Sequence, residues 1–309
     1  MRILILGAGG IGGYFGARFC AVGADVTFLV RPTRAEQLNA HGLRVISRLG
    51  DAHIAAPKVA TAETLRDKFD VIVLSCKAYD FAPAVDAIAP AVGSGSVILP
   101  LLNGVAHLDG LDKRFGQRQV MGGAAHLALT LTPSGEIRHL NDFHRLIVGS
   151  RTENVSAWLL PLENLLASLS PDFRISENVE QDMWDKFVFL TALASATCTM
   201  RGSVADIMAT AGGFDFITGL LKECEQIAIA SHHAPNPEQL ADYRAQLTDK
   251  VSTLTASMLR DIEAGKRTEA NHILGDMLRR GLANSVPTQL LRIAYSHLQV
   301  YEQRRSGLQ

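Results

Sequence analysis

Residues 1–31 read MRILILGAGGIGGYFGARFCAVGADVTFLVR, and the glycines in this stretch leave few folds open. A short apolar run at residues 3–6 meets a glycine-rich turn. Ile11, Phe15, Phe19 and Val22 then recur at helical spacing, and DVTFLV returns to strand-like composition. The pattern predicts a βαβ unit. Gly7, Gly9 and Gly12 supply G-x-G-x-x-G after a strand and at the opening of a helix, within a unit of about 30 residues, the context that gives this motif its meaning. Gly7 makes the tight turn, Gly9 lets the backbone approach a pyrophosphate, and Gly12 permits close helix–strand packing, with Gly16 extending the small face one turn further. The free N–H groups and positive dipole of the helix N-terminus then suit phosphates. An ordinary βα turn without a ligand is the competing reading, and the strand–turn–helix context favours a dinucleotide.

The end of the second strand discriminates between dinucleotides. A site that prefers NAD places Asp or Glu about 20 residues downstream, on the ribose 2′-hydroxyl; here that place reads Leu29-Val30-Arg31, followed by Arg34. With no acid available and a guanidinium suited to a bidentate pair with a 2′-phosphate, NADP(H) is expected over NAD(H). Solvated loop arginines are the competing reading. DVIVLSCKAYD (70–80) and GSVILPLLNGV (95–105) repeat the pattern of a buried strand ending in a polar turn. In an open α/β sheet ligands sit outside the carboxyl ends of strands, which puts Lys77 near cofactor phosphate or ribose. Asn103 can offer a donor and an acceptor to a nicotinamide ribose or a substrate, or can simply turn the chain before Gly104. Residues 119–150 read as three shorter strands paired antiparallel at one sheet edge, with TPSGEI (132–137) as a hairpin turn. His139 and His144 lack the i, i+4 spacing of a metal pair and read as surface or hairpin histidines.

Composition narrows the partners. With 309 residues, 47% hydrophobic and 20% charged, the chain can bury two sizeable cores. A formal net charge of −1 without long charged runs argues against nucleic-acid or membrane-surface binding and for a small-molecule partner. Four scattered cysteines, Cys20, Cys76, Cys198 and Cys224, without a C-x-x-C pair, fit a reduced compartment and argue against thiolate-bound zinc. The apolar run before Gly7 is too short for a signal-peptide core and no stretch reaches bilayer length, so the expected location is cytoplasmic.

From about residue 178 the periodicity becomes helical, punctuated at AGGF (211–214), HHAPNP (232–237) and SVP (285–287). The expected organisation is a Rossmann-type α/β domain over 1–177 and an all-α domain over 178–309, joined through FRISENVEQ (173–181), with substrate bound between them. DMWDKFVFLTALA (182–194) sets one lysine, Lys186, among Trp184, Phe187, Val188, Phe189 and Leu190. A lysine bordered by apolar surface and facing a carbonyl can donate a proton; it can also snorkel to water. Ser257 and Glu269 lie in TASMLRDIEAGKRTEANHILGDMLRRG (255–281), where pattern alone gives them helix-surface or capping roles.

Taken together, GAGGIGGYFGARFCAVGADVTFLVR, SCKAYD, LNGV, WDKF and SMLRDIEAGKRTEANHILG resemble the ketopantoate reductase (2-dehydropantoate 2-reductase) family over nearly the whole chain. The resemblance implies a Rossmann domain followed by a helical domain, NADPH as hydride donor, and reduction of a 2-keto acid to a 2-hydroxy acid. Ketopantoate to pantoate, a step of pantothenate biosynthesis, is the leading candidate. It assigns Gly7, Gly9 and Gly12 to the pyrophosphate, Arg31 to the 2′-phosphate, and Lys77 and Asn103 to the cofactor and the edge of the active site, where Asn103 also meets substrate. Lys186 matches the catalytic lysine, and Ser257 and Glu269 match the substrate-binding serine and glutamate, with Glu269 on a substrate hydroxyl. The chain departs from the family four and eight residues after the lysine, where asparagines are replaced by Leu190 and Ala194. That change points to an alternative substrate, a 2-keto acid with a more apolar tail, with Thr191 or Thr197 restoring part of the polarity. A non-catalytic NADP(H)-binding sensor is a further alternative, against which the retained lysine, serine and glutamate argue. The expected partners are a small keto acid and a second copy of the chain in a homodimer, with neither nucleic acid nor membrane.

Overall fold

The computed structural model describes residues 1–153, 157–170 and 172–307. Its contacts divide the chain into two compact units, one made of Met1–Leu102 and His107–Asp182, the other of Asn103–Ala106 and Met183–Gln309.

The first unit begins with β1 (Arg2–Leu6), α1 (Gly10–Ala21), β2 (Asp25–Leu29) and α2 (Pro32–His41), then β3 (Leu43–Ile46), β4 (Ala52–Ile54), β5 (Lys58–Ala60) and β6 (Phe69–Leu74). It continues through α3 (Phe81–Ile88), β7 (Val92–Pro100), α4 (Ala106–Phe115), β8 (Gly122–His126), β9 (Leu129–Leu131), β10 (Ile137–His139), β11 (Arg145–Gly149), α5 (Leu159–Ala167) and β12 (Phe173–Ile175). The main sheet has the order β5-β2-β1-β6-β7 with every pairing parallel. Its central strands are apolar throughout, as strands covered on both faces must be: Ile3, Leu4 and Ile5 of β1 and Val71, Ile72, Val73 and Leu74 of β6 are buried. The chain leaves β1 toward β2 on one side and returns to β6 on the other, so strand order reverses at β1. The crevice at the carboxyl ends of β1 and β6 is therefore the expected ligand position of such a sheet.

Helix α1 packs on this sheet through its small residues. A Cβ added to Gly16 would come within 2.4 Å of the Phe28 ring, and one added to Gly12 within 2.2 Å of the Gly7 carbonyl oxygen. Tyr14, Phe15 and Phe19 are buried, whereas Val22 caps the helix at its C-terminal end and is 43% exposed, outside the expected apolar face.

Residues 119–150 form four strands, and they do not extend the parallel sheet. β9 and β10 pair antiparallel across the expected hairpin but join β3 and β4 in a second sheet, of order β4-β3-β10-β9. β8 and β11 pair antiparallel in a third sheet with β12. Alternating polarity correctly indicated pairing; which partner each strand takes is a long-range choice that local pattern does not encode. His139 and His144 are likewise buried rather than superficial, at 9% and 8% exposure. Tyr14 Oη lies 2.7 Å from His144 Nδ1, and Ser47 Oγ lies 2.9 Å from His139 Nδ1. Each imidazole thus meets a hydroxyl partner, as a buried polar ring requires.

The second unit is helical: α6 (Val179–Met200, in which the division between units falls), α7 (Val204–Met208), α8 (Gly213–Ala230), α9 (Pro237–Leu247), α10 (Ser257–Glu263), α11 (Ala270–Ala283) and α12 (Gln289–Arg305). Glu180 and Asp182 lie in the first turn of α6, where their charge complements the helix dipole. Ser203 and Asp206 form a capping box at α7, and Asn236 caps α9 ahead of Pro237. No helix of the described residues is long and apolar enough to cross a membrane.

Candidate active site

At the carboxyl end of β1 the chain turns through Gly7, whose φ of +94° only glycine adopts without strain. A Cβ on Gly9 would meet nothing within 4 Å, unlike one on Gly12. Gly9 is the N-cap of α1 and offers no side-chain cap to the first-turn amides. Bare N–H groups beside open space form an anion cradle, and this turn fits a pyrophosphate on those grounds. The turn is braced from behind: Ser75 Oγ donates to the Leu6 carbonyl at 2.8 Å, and the Arg34 guanidinium donates to the Ala8 carbonyl at 2.9 and 3.2 Å and to the Gly135 carbonyl at 3.0 Å. Arg34 is thereby spent on the fold. Arg31 follows β2 with its side chain 78% exposed and forms an ion pair with Asp80 at 2.9 Å. Asp80 is half-buried, but with Arg31 so exposed the pair contributes little and leaves the guanidinium able to exchange partners. Lys77 stands just past the carboxyl end of β6, half-buried, at the N-terminal cap of a single 3-10 turn over Ala78–Asp80.

In the second unit Lys186 lies on α6, between Trp184 and Phe187 in sequence, two buried aromatic residues whose rings meet edge-to-face at 5.6 Å. Its Nζ donates to Asn103 Oδ1 at 3.1 Å. Burial of the ammonium group pushes the Lys186 pKa down to about 8, against which the charge of Glu269 acts in the raising direction. A lysine held this way is still mostly protonated at neutral pH yet gives up its proton more readily than a solvated one. Asn103 belongs to the short segment Asn103–Ala106 that groups with this unit. Gly104 has a φ of +78°, and a Cβ there would lie 3.4 Å from the His272 ring.

Ser257 is the first residue of α10 and half-buried, and Glu269 is the N-cap of α11, with 7% exposure. The structure thus brings Lys186 within hydrogen-bonding reach of Asn103 and electrostatic reach of Glu269. Sequence reasoning missed His272, which hydrogen-bonds to the Asn103 backbone and whose pKa burial pushes down. Its place three residues after Glu269, on the same helix face, was the available signal. Of the two positions that depart from the family, Leu190 is partly exposed and Ala194 fully buried. Thr197 does not restore polarity to them: its Oγ1 donates to the Leu193 carbonyl at 2.7 Å and accepts from the Ala256 N–H at 3.3 Å. Thr191 is fully buried, and its hydroxyl finds no hydrogen-bond partner among the described residues.

A parallel sheet with a glycine-rich turn, followed by a helical unit with an enclosed lysine, defines a class, the Rossmann-type oxidoreductases with a helical second domain. Two family models match in succession, ketopantoate reductase PanE/ApbA over residues 3–153 and ketopantoate reductase PanE/ApbA C terminal over residues 178–302. The Bacillus subtilis (strain 168) uncharacterized oxidoreductase YkpB is 33% identical over 98% of this chain and 99% of its own length. The crystal structure of 2-dehydropantoate 2-reductase from Methylococcus capsulatus superposes with a TM-score of 0.87 at 28% identity, covering 99% of this chain and 98% of that one. A D-mandelate dehydrogenase, in its ternary structure with NADH and anilino(oxo)acetate, shares the fold with a TM-score of 0.89 at 20% identity, covering 99% of this chain and 100% of that one. The chain belongs to the ketopantoate reductase family.

Proposed function

We propose that the protein reduces a 2-keto acid to a 2-hydroxy acid with NADPH, and that ketopantoate is the first substrate to test. The observation that carries this reading is Lys186, whose ammonium is hydrogen-bonded to Asn103, faces the charge of Glu269 and is pushed by burial to a pKa of about 8. NADPH, when bound, supplies the hydride that reaches the carbonyl carbon. Gly7, Gly9, Gly12 and the first-turn amides of α1 hold its pyrophosphate, Arg31 exchanges Asp80 for the 2′-phosphate, and Lys77 meets a phosphate or ribose. Lys186 gives its proton to the ketone oxygen as charge develops there, and Asn103 Oδ1 aims the ammonium. Glu269 holds a substrate hydroxyl, and the Ser257 hydroxyl binds another polar group of the substrate. Glu269 also keeps Lys186 more protonated than burial alone would allow.

Steady-state assay with ketopantoate and NADPH tests the reading, and Lys186→Ala tests the mechanism. Loss of a general acid lowers kcat by about 10²- to 10⁴-fold, and undiminished turnover would sink the assignment. Because the acid form is the active one in reduction, kcat/KM should hold below pH 7 and decline as pH rises through about 8, the Lys186 value.

Leu190 and Ala194 favour a second reading, a 2-keto acid with an apolar or aromatic tail, in line with the anilino(oxo)acetate bound by the D-mandelate dehydrogenase. A panel of ketopantoate, phenylglyoxylate and branched-chain 2-keto acids separates the two by kcat/KM. Tight NADPH binding without turnover on any of them would point to a sensor instead. A cytoplasmic homodimer completes the proposal, and sedimentation of the purified protein checks the dimer.

A further inference from the structure

Glu269 stands at the end of the connection from α10 to α11, and the backbone of that connection changes its anchors partway. The Ala264, Gly265 and Lys266 N–H groups donate back to the Arg260, Ile262 and Asp261 carbonyls at the end of α10. After Lys266 two adjacent residues of α12 take over. Tyr301 Oη donates to the Lys266 carbonyl at 2.7 Å, and Glu302 Oε1 accepts from both the Thr268 N–H at 2.6 Å and the Thr268 hydroxyl at 2.7 Å. The second carboxylate oxygen of Glu302 is held by the Arg305 guanidinium at 3.0 Å. Thr268 is 6% exposed, so its N–H has no ready replacement in water if this acceptor is removed. Hydrogen bonds to an ionised carboxylate are the strong kind, and two of them on one residue fix the backbone immediately before Glu269.

We propose that Glu302 is a positioning residue of the substrate site, holding the Glu269 carboxylate in register with Lys186 by clamping Thr268 from the C-terminal helix. The inference rests on the reading of Glu269 as a substrate-binding group. Glu302 itself acts only through Thr268.

The test compares Glu302→Ala, Glu302→Gln, Glu269→Ala and the Glu302→Ala/Glu269→Ala double variant, on whichever keto acid the wild type reduces best. Glu302→Ala should raise KM for the keto acid about tenfold while kcat and KM for NADPH change less than about threefold, the pattern of a displaced binding group. Glu302→Gln, which keeps an acceptor for Thr268, should stay within about threefold of wild type. In the double variant Glu302→Ala should add nothing to Glu269→Ala, because the group it positions is gone. Additive effects, or equal losses in kcat and in both KM values, would overturn the inference and leave Glu302 a structural residue. If Glu269→Ala itself leaves KM unchanged, the reading of Glu269 fails, and the inference with it. Should Glu302→Ala not fold by circular dichroism, Thr268→Ala removes one of the two clamping bonds and should raise KM about fivefold, beyond the change allowed to Glu302→Gln; an unchanged KM there overturns the clamp.

Discussion

Lys186 is kept charged in a place that penalises charge, and the penalty is visible in its pKa of about 8 against 10.5 in water. Between those two values the unfolded chain binds a proton that the folded one has released, so stability rises with pH across about 8 to 10.5. At neutral pH the folded protein bears the cost of the buried ammonium in full. Lys186→Met should therefore lower kcat by about the same 10²- to 10⁴-fold while raising Tm by roughly 2–4 °C, the scale of about 1 kcal/mol in a protein of this size. Thermal unfolding followed by circular dichroism, beside the NADPH assay, checks both halves; a lowered Tm would mean that the Asn103 bond outweighs the desolvation. The lysine itself could be read from WDKF, because one lysine in an apolar helical run is conspicuous. Its partner could not: Asn103 lies 83 residues away in sequence. His272, which holds the Asn103 backbone, looked like any other helical histidine.

Helix α1 is an element whose two ends serve different purposes. Its N-terminus was legible from glycine spacing alone, since turn, close approach and packing each exclude a side chain at a particular step. Its middle was not. Tyr14 reaches His144, and the Tyr14 and His139 rings lie 5.2 Å apart, so two histidines expected at the surface end in a buried cluster. Burial pushes both imidazole pKa values below 6.5 and the nearby Arg18 charge lowers them further, while hydrogen bonds to the Phe143 carbonyl and Asn141, and more weakly Asp142, act the other way on His139, as Asp172 does on His144. Below pH 6.5 the unfolded chain takes up protons that these folded histidines refuse, so stability falls as pH drops through 6.5 toward the lowered values. The expected outcome is a Tm loss of roughly 2–4 °C between pH 7 and pH 5 beyond that of a His139→Gln/His144→Gln variant, read by differential scanning calorimetry. Parallel curves for the two proteins would remove the cluster as the cause. On α6 the same contrast holds: helical periodicity was plain, and the bond from Thr197 to Leu193 is local, but that Thr197 also accepts from Ala256, 59 residues away, depends on a neighbour distant in sequence.

At the scale of the whole molecule, a cofactor that binds only the folded state stabilises it by mass action, about 2.7 kcal/mol at a hundred times Kd. NADPH should raise Tm more than equimolar NADH, and Arg31→Ala should erase that difference while leaving the NADH shift in place, because the Arg31 side chain is exposed and its pair with the half-buried Asp80 contributes little. Equal shifts in the wild type would refute the NADP(H) preference. The sequence by itself determined what periodicity and single-residue sterics can encode: a parallel sheet with a glycine turn, a helical C-terminal region, and the residue types that suit hydride-coupled proton transfer. The tertiary structure alone decided which strands left the main sheet for two others, and that Asn103 groups with the helical unit and meets Lys186. It also decided that Glu302 on the last helix secures the residue before Glu269. Local pattern sets each element's own geometry, whereas strand pairing, buried-charge partners and loop anchors depend on groups far apart in the chain, brought together only when the core closes.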